Sequence, residues 1–257
     1  MNIENIYLVY FSPTNTTKKI VRTIGENIKC ENLLDINLLK TPIKENIYIG
    51  ENDLLIVGMP VFVGRIPTVC VDMLNHLKGD NSRAVVVNAY GNRDYDDALI
   101  ELYDIVEKNG FKTIAAGAFI GQHSRFPEVA KNRPDKEDIK KIVCFAKSCE
   151  QNINLDREKI KLDIKGNRPY KAIKTITLNP TGDENCIECN ACVRICPTKA
   201  IDLSNPRLTD DDKCISCMAC VYACPYDSRG LHTENFEELS NKFYEKNKER
   251  KEPEIFL

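Results

Sequence analysis

The stretch Cys186-Ile187-Glu188-Cys189-Asn190-Ala191-Cys192-Val193-Arg194-Ile195-Cys196-Pro197 is answered by Cys214-Ile215-Ser216-Cys217-Met218-Ala219-Cys220-Val221-Tyr222-Ala223-Cys224-Pro225. Both read C-x2-C-x2-C-x3-C-P, so eight thiols fall into two quartets of one spacing. Three thiolates on a tight loop can meet three irons of an iron-sulfur cube, while the fourth iron needs a ligand from elsewhere in the chain. Zinc competes for paired C-x2-C units because tetrahedral thiolate sites suit it too, and disulfides are a third reading. Zinc ligands usually come as two separated pairs, whereas here two complete quartets each end in Cys-Pro. Two 4Fe-4S clusters are the expectation. Ile187, Val193, Ile195, Ile201 and Leu203 match Ile215, Val221, Tyr222 and Ala223 in role, which makes the stretch an internal duplication.

The chain has 257 residues, enough for one substantial core and a small second unit. Twelve cysteines would fit a disulfide scaffold in a short secreted chain. MNIENIYLVYF, however, has no basic segment before an apolar stretch and no small-residue cleavage site, and no run has the apolar length of a membrane span. A reducing cytoplasm, without membrane insertion, is the expected compartment. The formal net charge of -2 counts every cysteine as neutral, and each oxidised cube with its four thiolates would add about -2. Thr181 to Gly230 is already acid-biased through Asp183, Glu184, Glu188, Asp202, Asp210, Asp211, Asp212 and Asp227. No basic stripe competes with that field, so nucleic acid is not an expected partner; a redox protein with a basic docking patch is.

Upstream, Ile3 to Phe11 reads as a buried strand ending at Ser12-Pro13-Thr14-Asn15-Thr16-Thr17, with a helix from about Thr16 to Ile28. Amides and hydroxyls at that helix start can hold a phosphate, or can simply cap the helix. Further strands are expected at Asn32 to Leu38, Asp53 to Val57, Arg83 to Val87 and Phe111 to Phe119, with helices near Thr68 to Leu77, Asp96 to Asn109 and Asp135 to Glu150. Alternating strands and helices over residues 1–150 imply an open α/β domain with a mostly parallel sheet. Residues 151–179 break the pattern and read as a connector packed between domains, in which Tyr170 to Leu178 is short helix or strand. Residues 180–230 form the cluster domain. Residues 231–257 form a C-terminal helix running from about Thr233 to Glu252. Cys30, Cys70, Cys144 and Cys149 have no metal-like companions and read as buried small hydrophobes.

The Phe11 to Thr17 loop, the loop Gly58-Met59-Pro60-Val61-Phe62-Val63-Gly64 and the loop Asn88-Ala89-Tyr90-Gly91-Asn92-Arg93-Asp94-Tyr95 together resemble a flavodoxin domain. With the two cysteine runs, residues 1 to 230 look like the clostridial-type fusion of a flavodoxin-like domain to a bacterial two-cluster ferredoxin domain. The resemblance implies a doubly wound sheet of order 2-1-3-4-5 with FMN at its switch point, followed by a small α+β ferredoxin-like domain. It implies crossed ligation, with Cys186, Cys189, Cys192 and Cys224 on one cube and Cys214, Cys217, Cys220 and Cys196 on the other. By the same resemblance Ser12, Thr14, Asn15, Thr16 and Thr17 would wrap the FMN phosphate. Pro60, Val61, Phe62 and Val63, with Met59, would border one side of the flavin ring; Asn88, Ala89, Tyr90, Gly91, Asn92 and Tyr95 would border the other. Asn15 departs from the pattern, which usually has glycine there, though Asn tolerates a positive φ better than most residues. His123 and Arg125 would face either the flavin or the interdomain surface, and a structural hydrogen bond is the plainer role for His123.

The expected function is electron transfer between redox partners through FMN and two 4Fe-4S clusters. The alternatives are a flavin-dependent reductase or quinone reductase fed by its own clusters, and a ferredoxin whose attached sheet has lost flavin. No G-x-G-x-x-G fingerprint of a nicotinamide site is present.

Overall fold

The computed structural model describes residues 2–155, 161–173 and 178–257. The N-terminal domain runs β1 (Asn5–Tyr10), α1 (Thr16–Gly25), β2 (Asn32–Asn37), β3 (Ile47–Ile49), β4 (Leu54–Pro60), α2 (Thr68–Leu74), β5 (Leu77–Gly79), β6 (Ser82–Tyr90), α3 (Ala98–Lys108), β7 (Phe111–Ile120) and α4 (Lys136–Ile153). Five of these strands pair in parallel in the order β2-β1-β4-β6-β7. This is the 2-1-3-4-5 order of a flavodoxin-like sheet, because β3 and β5 pair separately as a small ribbon. β4 and β6 are apolar almost throughout since helices cover both faces. Their alternate residues feed two cores. Leu54, Ile56, Val85 and Val87 pack with Ile20, Ile24, Ile142 and Phe145 of α1 and α4. Leu55, Val57, Ala84 and Val86 pack with Cys70, Leu74, Leu99 and Leu102 of α2 and α3.

The helix ends explain themselves chemically. Asp135 caps α4 by accepting from the Glu137 and Asp138 amides, while the Asp138 carboxylate accepts from the Asp135 amide, a reciprocal box. α2 is shorter than the sequence implies, because the chain after Leu74 is drawn into β5 beside β3.

The small domain begins with β8 (Thr181–Gly182), followed by α5 (Ala191–Ile195), α6 (Ala219–Tyr222) and β9 (Arg229–Gly230), which pairs antiparallel with β8. Its duplication extends to the backbone. Glu188, Asn190 and Lys199 adopt positive φ in the first half, and Ser216, Met218 and Asp227 do so in the second. These pairs share the offset that relates Cys186 to Cys214. Each x2 segment therefore carries one left-handed residue that turns the chain around the cavity it lines. Cys217 and Ala219 are buried in the α2/α3 core, so the small domain docks on that side.

The C-terminal segment departs from the expected single helix. α7 (Phe236–Asn247) stops early and the chain continues into β10 (Glu254–Phe256), antiparallel to β7. The Asn92 amide donates to the Asn247 and Glu249 carbonyls at 2.6 and 2.8 Å, pulling them out of helical register. Arg133 holds the Lys251 carbonyl at 2.8 Å, Arg250 pairs with Asp135 and Pro253 bars further helix. The strand covers the edge of β7.

The connector is pinned where it is described. Asp97 accepts from the Asn167 and Lys171 amides at 2.8 and 2.7 Å, Asp104 accepts from Arg168 and Tyr170, and Ile164 is buried. Its residues 161–173 form neither helix nor strand, and the expected element at Tyr170 to Leu178 falls partly on residues 174–177, outside the described residues. Cys70 and Cys149 are buried, whereas Cys30 is half-buried and Cys144 is exposed, against the expectation of four buried thiols. Among the described residues no helix is long and apolar enough to cross a membrane.

Candidate functional site

A cleft of about 370 Å³ opens at the C-terminal ends of the parallel strands. Thr14, Thr16 and Thr17 line one part. The Ser12 hydroxyl, behind them, accepts from the Lys18 amide at 2.9 Å, and the Asn15 carbonyl accepts from the Lys19 amide at 3.0 Å. The first-turn amides of α1 have no intrahelical acceptor, and Thr16 and Thr17 of that turn line the cleft. Asn15 sits at φ 62, the left-handed conformation that glycine would otherwise provide.

Pro60, Val61, Phe62 and Val63 line a second wall, and Ala89, Tyr90 and Gly91 a third. Phe62 and Arg65 exchange backbone hydrogen bonds at 2.8 and 3.1 Å, closing a two-residue turn with Val63 at φ 55 and Gly64 at φ 82. A β-branched residue at positive φ is strained. The turn is held because the Arg65 guanidinium grips Glu101 bidentately at 2.7 and 2.6 Å. Burial pushes the Tyr90 phenol up to about 12.

The remaining expected flavin residues stand behind the cleft surface. Asn88 is fully buried and donates to the Met59 carbonyl at 3.0 Å, fixing β6 to β4. Asn92 anchors the C-terminal tail as described above. Tyr95 is buried, packs edge-on under Tyr90 at 5.5 Å and donates to Glu254 at 2.7 Å. It lies behind the cleft surface because its hydroxyl is drawn to Glu254 of β10 and its ring packs into the α2/α3 core. The wall also takes in residues that the sequence did not single out. These are Lys171 of the connector, Ser216 of the small domain and Phe243 of α7; Cys217, expected only as a cluster ligand, joins them. No local signal marks them, since each arrives from another element.

Two further cavities lie in the small domain. One is lined by Cys196, Cys214, Cys217 and Cys220, with Ile201, Ile215 and Met218. The other is lined by Cys186, Cys189, Cys192 and Cys224, with Ile187 and Tyr226. Each cavity takes three cysteines from one run and the last from the other. Among the described residues no three His, Cys, Asp or Glu side chains converge tightly enough to hold a single metal ion; the thiols instead surround a void. Four thiols on an apolar void fit a 4Fe-4S cube in donor chemistry.

Arg229 stands between the two cavities and was not anticipated. Its side chain is buried, donating to the Pro206 and Pro180 carbonyls at 2.6 and 2.5 Å. Burial pushes the Cys220 thiol up, and the Arg229 guanidinium pulls it down through charge and a hydrogen bond. Burial pushes Cys217 up to about 12.

Cys217 lines both the inner cavity and the cleft. Cys189, on the outer cavity, is exposed. The cleft fits FMN in kind, with helix-start amides and hydroxyls for a phosphate and an apolar, aromatic slot for a ring.

The family model described as "4Fe-4S dicluster domain" matches residues 185–228. No curated protein matches the chain in sequence. Among solved structures, a flavodoxin from the domain Archaea is similar at 14% identity over 59% of this chain and 99% of its own, with a TM-score of 0.40. The flavodoxin of Fusobacterium nucleatum bound to flavin mononucleotide is similar at 20% identity over 59% of this chain and 95% of its own, with a TM-score of 0.39. A rubredoxin oxygen:oxidoreductase from Desulfovibrio gigas is similar at 16% identity over 59% of this chain, with a TM-score of 0.41; the match spans 36% of that protein's length. The molecule joins an α/β domain of flavodoxin-like strand order to a small domain whose residues 185–228 match the 4Fe-4S dicluster model.

Proposed function

We propose that the chain carries electrons between redox partners, with FMN in the cleft and one 4Fe-4S cluster in each thiol-lined cavity. The observation that carries this reading is the position of Cys217, which borders the inner cavity on one side and the cleft on the other. A ligand in the cleft and a cluster in the cavity would share one side chain as a boundary. FMN supplies exchange of one or two electrons, and each cluster supplies exchange of one. The residues do the positioning. Thr14, Thr16 and Thr17 hold the phosphate, Phe62 and Tyr90 wall the ring, and the eight cysteines fix the clusters.

The outer cavity is the entry point for a partner. Cys189 is exposed there, and Ile187 and Tyr226 are exposed beside it at 59% and 51%. Asp183, Glu184 and Glu188 add negative charge around them, which suits a redox protein with a basic docking patch. Quantifying iron, labile sulfide and flavin on one anaerobically purified sample tests the assignment. About eight iron, eight sulfide and one FMN per chain are expected; two zinc ions without sulfide would refute it.

A further inference from the structure

The loop after β7 brings His123 and Arg125 into the cleft wall. His123 Nδ1 accepts the Arg125 and Phe126 amides, each at 3.2 Å, which places the ring proton on Nε2. Burial is the main cause that keeps the ring neutral, pushing its pKa down to about 3, with Arg125 and Arg93 adding to it. Phe243 lies edge-on to the ring at 4.8 Å, and Gly91 packs so closely that any side chain there would strike it. The Nε2–H donor therefore has a fixed tautomer and a fixed direction.

Arg125 lies over the Phe126 ring, 5.9 Å from its centroid, and lines the cleft without a carboxylate partner among the described residues. Arg93 and Lys171 both pair with Asp96, and the wall carboxylate Asp94 pairs with Lys165. Among the described residues no carboxylate pairs with Arg125, whose guanidinium is partly buried and destabilised by desolvation alone. A desolvated guanidinium without a counter-ion favours a bound anion, and its planar fork matches a carboxylate or phosphoryl group. The phosphate site read at Thr14 to Thr17 shares the cleft but offers amides and hydroxyls, a different donor chemistry from the guanidinium. Phe243, which the flavin reading does not use, offers apolar surface to an organic body.

Resting on the flavin reading of the cleft, we propose that His123 Nε2–H and the Arg125 guanidinium form a second oxyanion site. It takes the carboxylate or phosphoryl head of a small organic substrate with an apolar body, bound alongside the flavin. The chain would then act on a small molecule of its own as well as passing electrons to proteins.

The test is calorimetric titration of the cluster-loaded full chain with FMN, with riboflavin and with benzoate as the organic anion probe, in wild type, Arg125→Gln and Arg125→Lys. The expected result is FMN affinity within twofold across all three proteins, with saturable benzoate binding weakened at least tenfold in Arg125→Gln and partly restored in Arg125→Lys. If Arg125→Gln weakens FMN but not riboflavin, the guanidinium serves the cofactor's own phosphate and the inference is overturned. Absence of benzoate binding to the wild type overturns it whether or not the variants fold. Wild type that binds benzoate through Arg125 but takes no FMN would sink the flavin reading and leave the anion site standing.

Discussion

Cys196 and Cys217 face one cavity although they belong to different cysteine runs. Cys224 makes the reciprocal exchange, joining Cys186, Cys189 and Cys192. The crossover arises because each short helix, α5 or α6, carries its quartet's last cysteine away from the loop and across to the other half. This is the grouping that crossed ligation of two cubes requires.

Removal of one crossing thiol should therefore empty the cavity that the other run wraps. Cys196→Ala is expected to lose the cluster of Cys214, Cys217 and Cys220, and Cys224→Ala that of Cys186, Cys189 and Cys192. Each should lower iron from about eight to about four per chain or less and destabilise the small domain. Electron paramagnetic resonance of the reduced proteins checks this. Full two-cluster signals in either variant would refute the map.

Arg229 places a buried positive charge beside thiols of both cavities. Arg229→Gln should lower the reduction potentials of the clusters, since the guanidinium favours the more negative, reduced state. One charge at several ångströms and an effective dielectric near 20 is worth about 1–3 kcal/mol, on the order of 50–120 mV for one electron. Redox titration of wild type and variant measures it. Unchanged potentials in a folded variant would mean that Arg229 only braces the loops.

Thr14 contributes its hydroxyl to the cleft without a role in the core. Thr14→Ala should weaken FMN by roughly tenfold, the loss of one hydrogen bond to a charged group, while cluster absorbance stays intact. Fluorescence titration with FMN checks it, with cluster absorbance as the control.

Acid should loosen the connector first. Burial pushes the Asp97 carboxyl up, but hydrogen bonds from the Lys171 and Asn167 amides and the Asn167 side chain hold it net below its usual range. Asp104 is likewise lowered by Arg168 and Tyr170 against the effect of burial. A depressed folded pKa contributes stability that is complete above the unfolded value, about 3.9 for Asp, and is lost as pH falls through the folded value. Melting temperature should thus drop below about pH 4, and Asp97→Asn should flatten that drop while costing about 1–3 kcal/mol at neutral pH. Thermal melts at pH 7 and pH 3 check both. The same pH slope in wild type and variant would remove Asp97 from the account.

The parallel sheet was legible because Leu54 to Val57, Ala84 to Val87 and Ile114 to Ile120 are continuous apolar runs within β4, β6 and β7. The cysteine spacing likewise announced two quartets. Which expected flavin residues reach the cleft surface was not legible. Tyr95 and Asn92 sit in the same loop as Tyr90 and Gly91, yet one is drawn inward by Glu254 and the other is occupied by the carbonyls of the tail. Both partners lie more than 150 positions later in sequence, beyond the reach of any local pattern. The same holds for α7, where the helical periodicity was correctly visible but its end was set by Asn92 and Arg133. Phe243 and Cys217 enter the cleft only because two later segments fold back over the first domain.

The most direct test of the account is the rate of flavin reduction in holoprotein whose clusters have been rapidly reduced, followed by flavin absorbance at several protein concentrations. The shared boundary at Cys217 predicts fast flavin reduction at a rate independent of concentration, as electron transfer within one chain requires. A flavin that stays oxidised while the clusters are reduced, or a rate that rises in proportion to concentration, would contradict it.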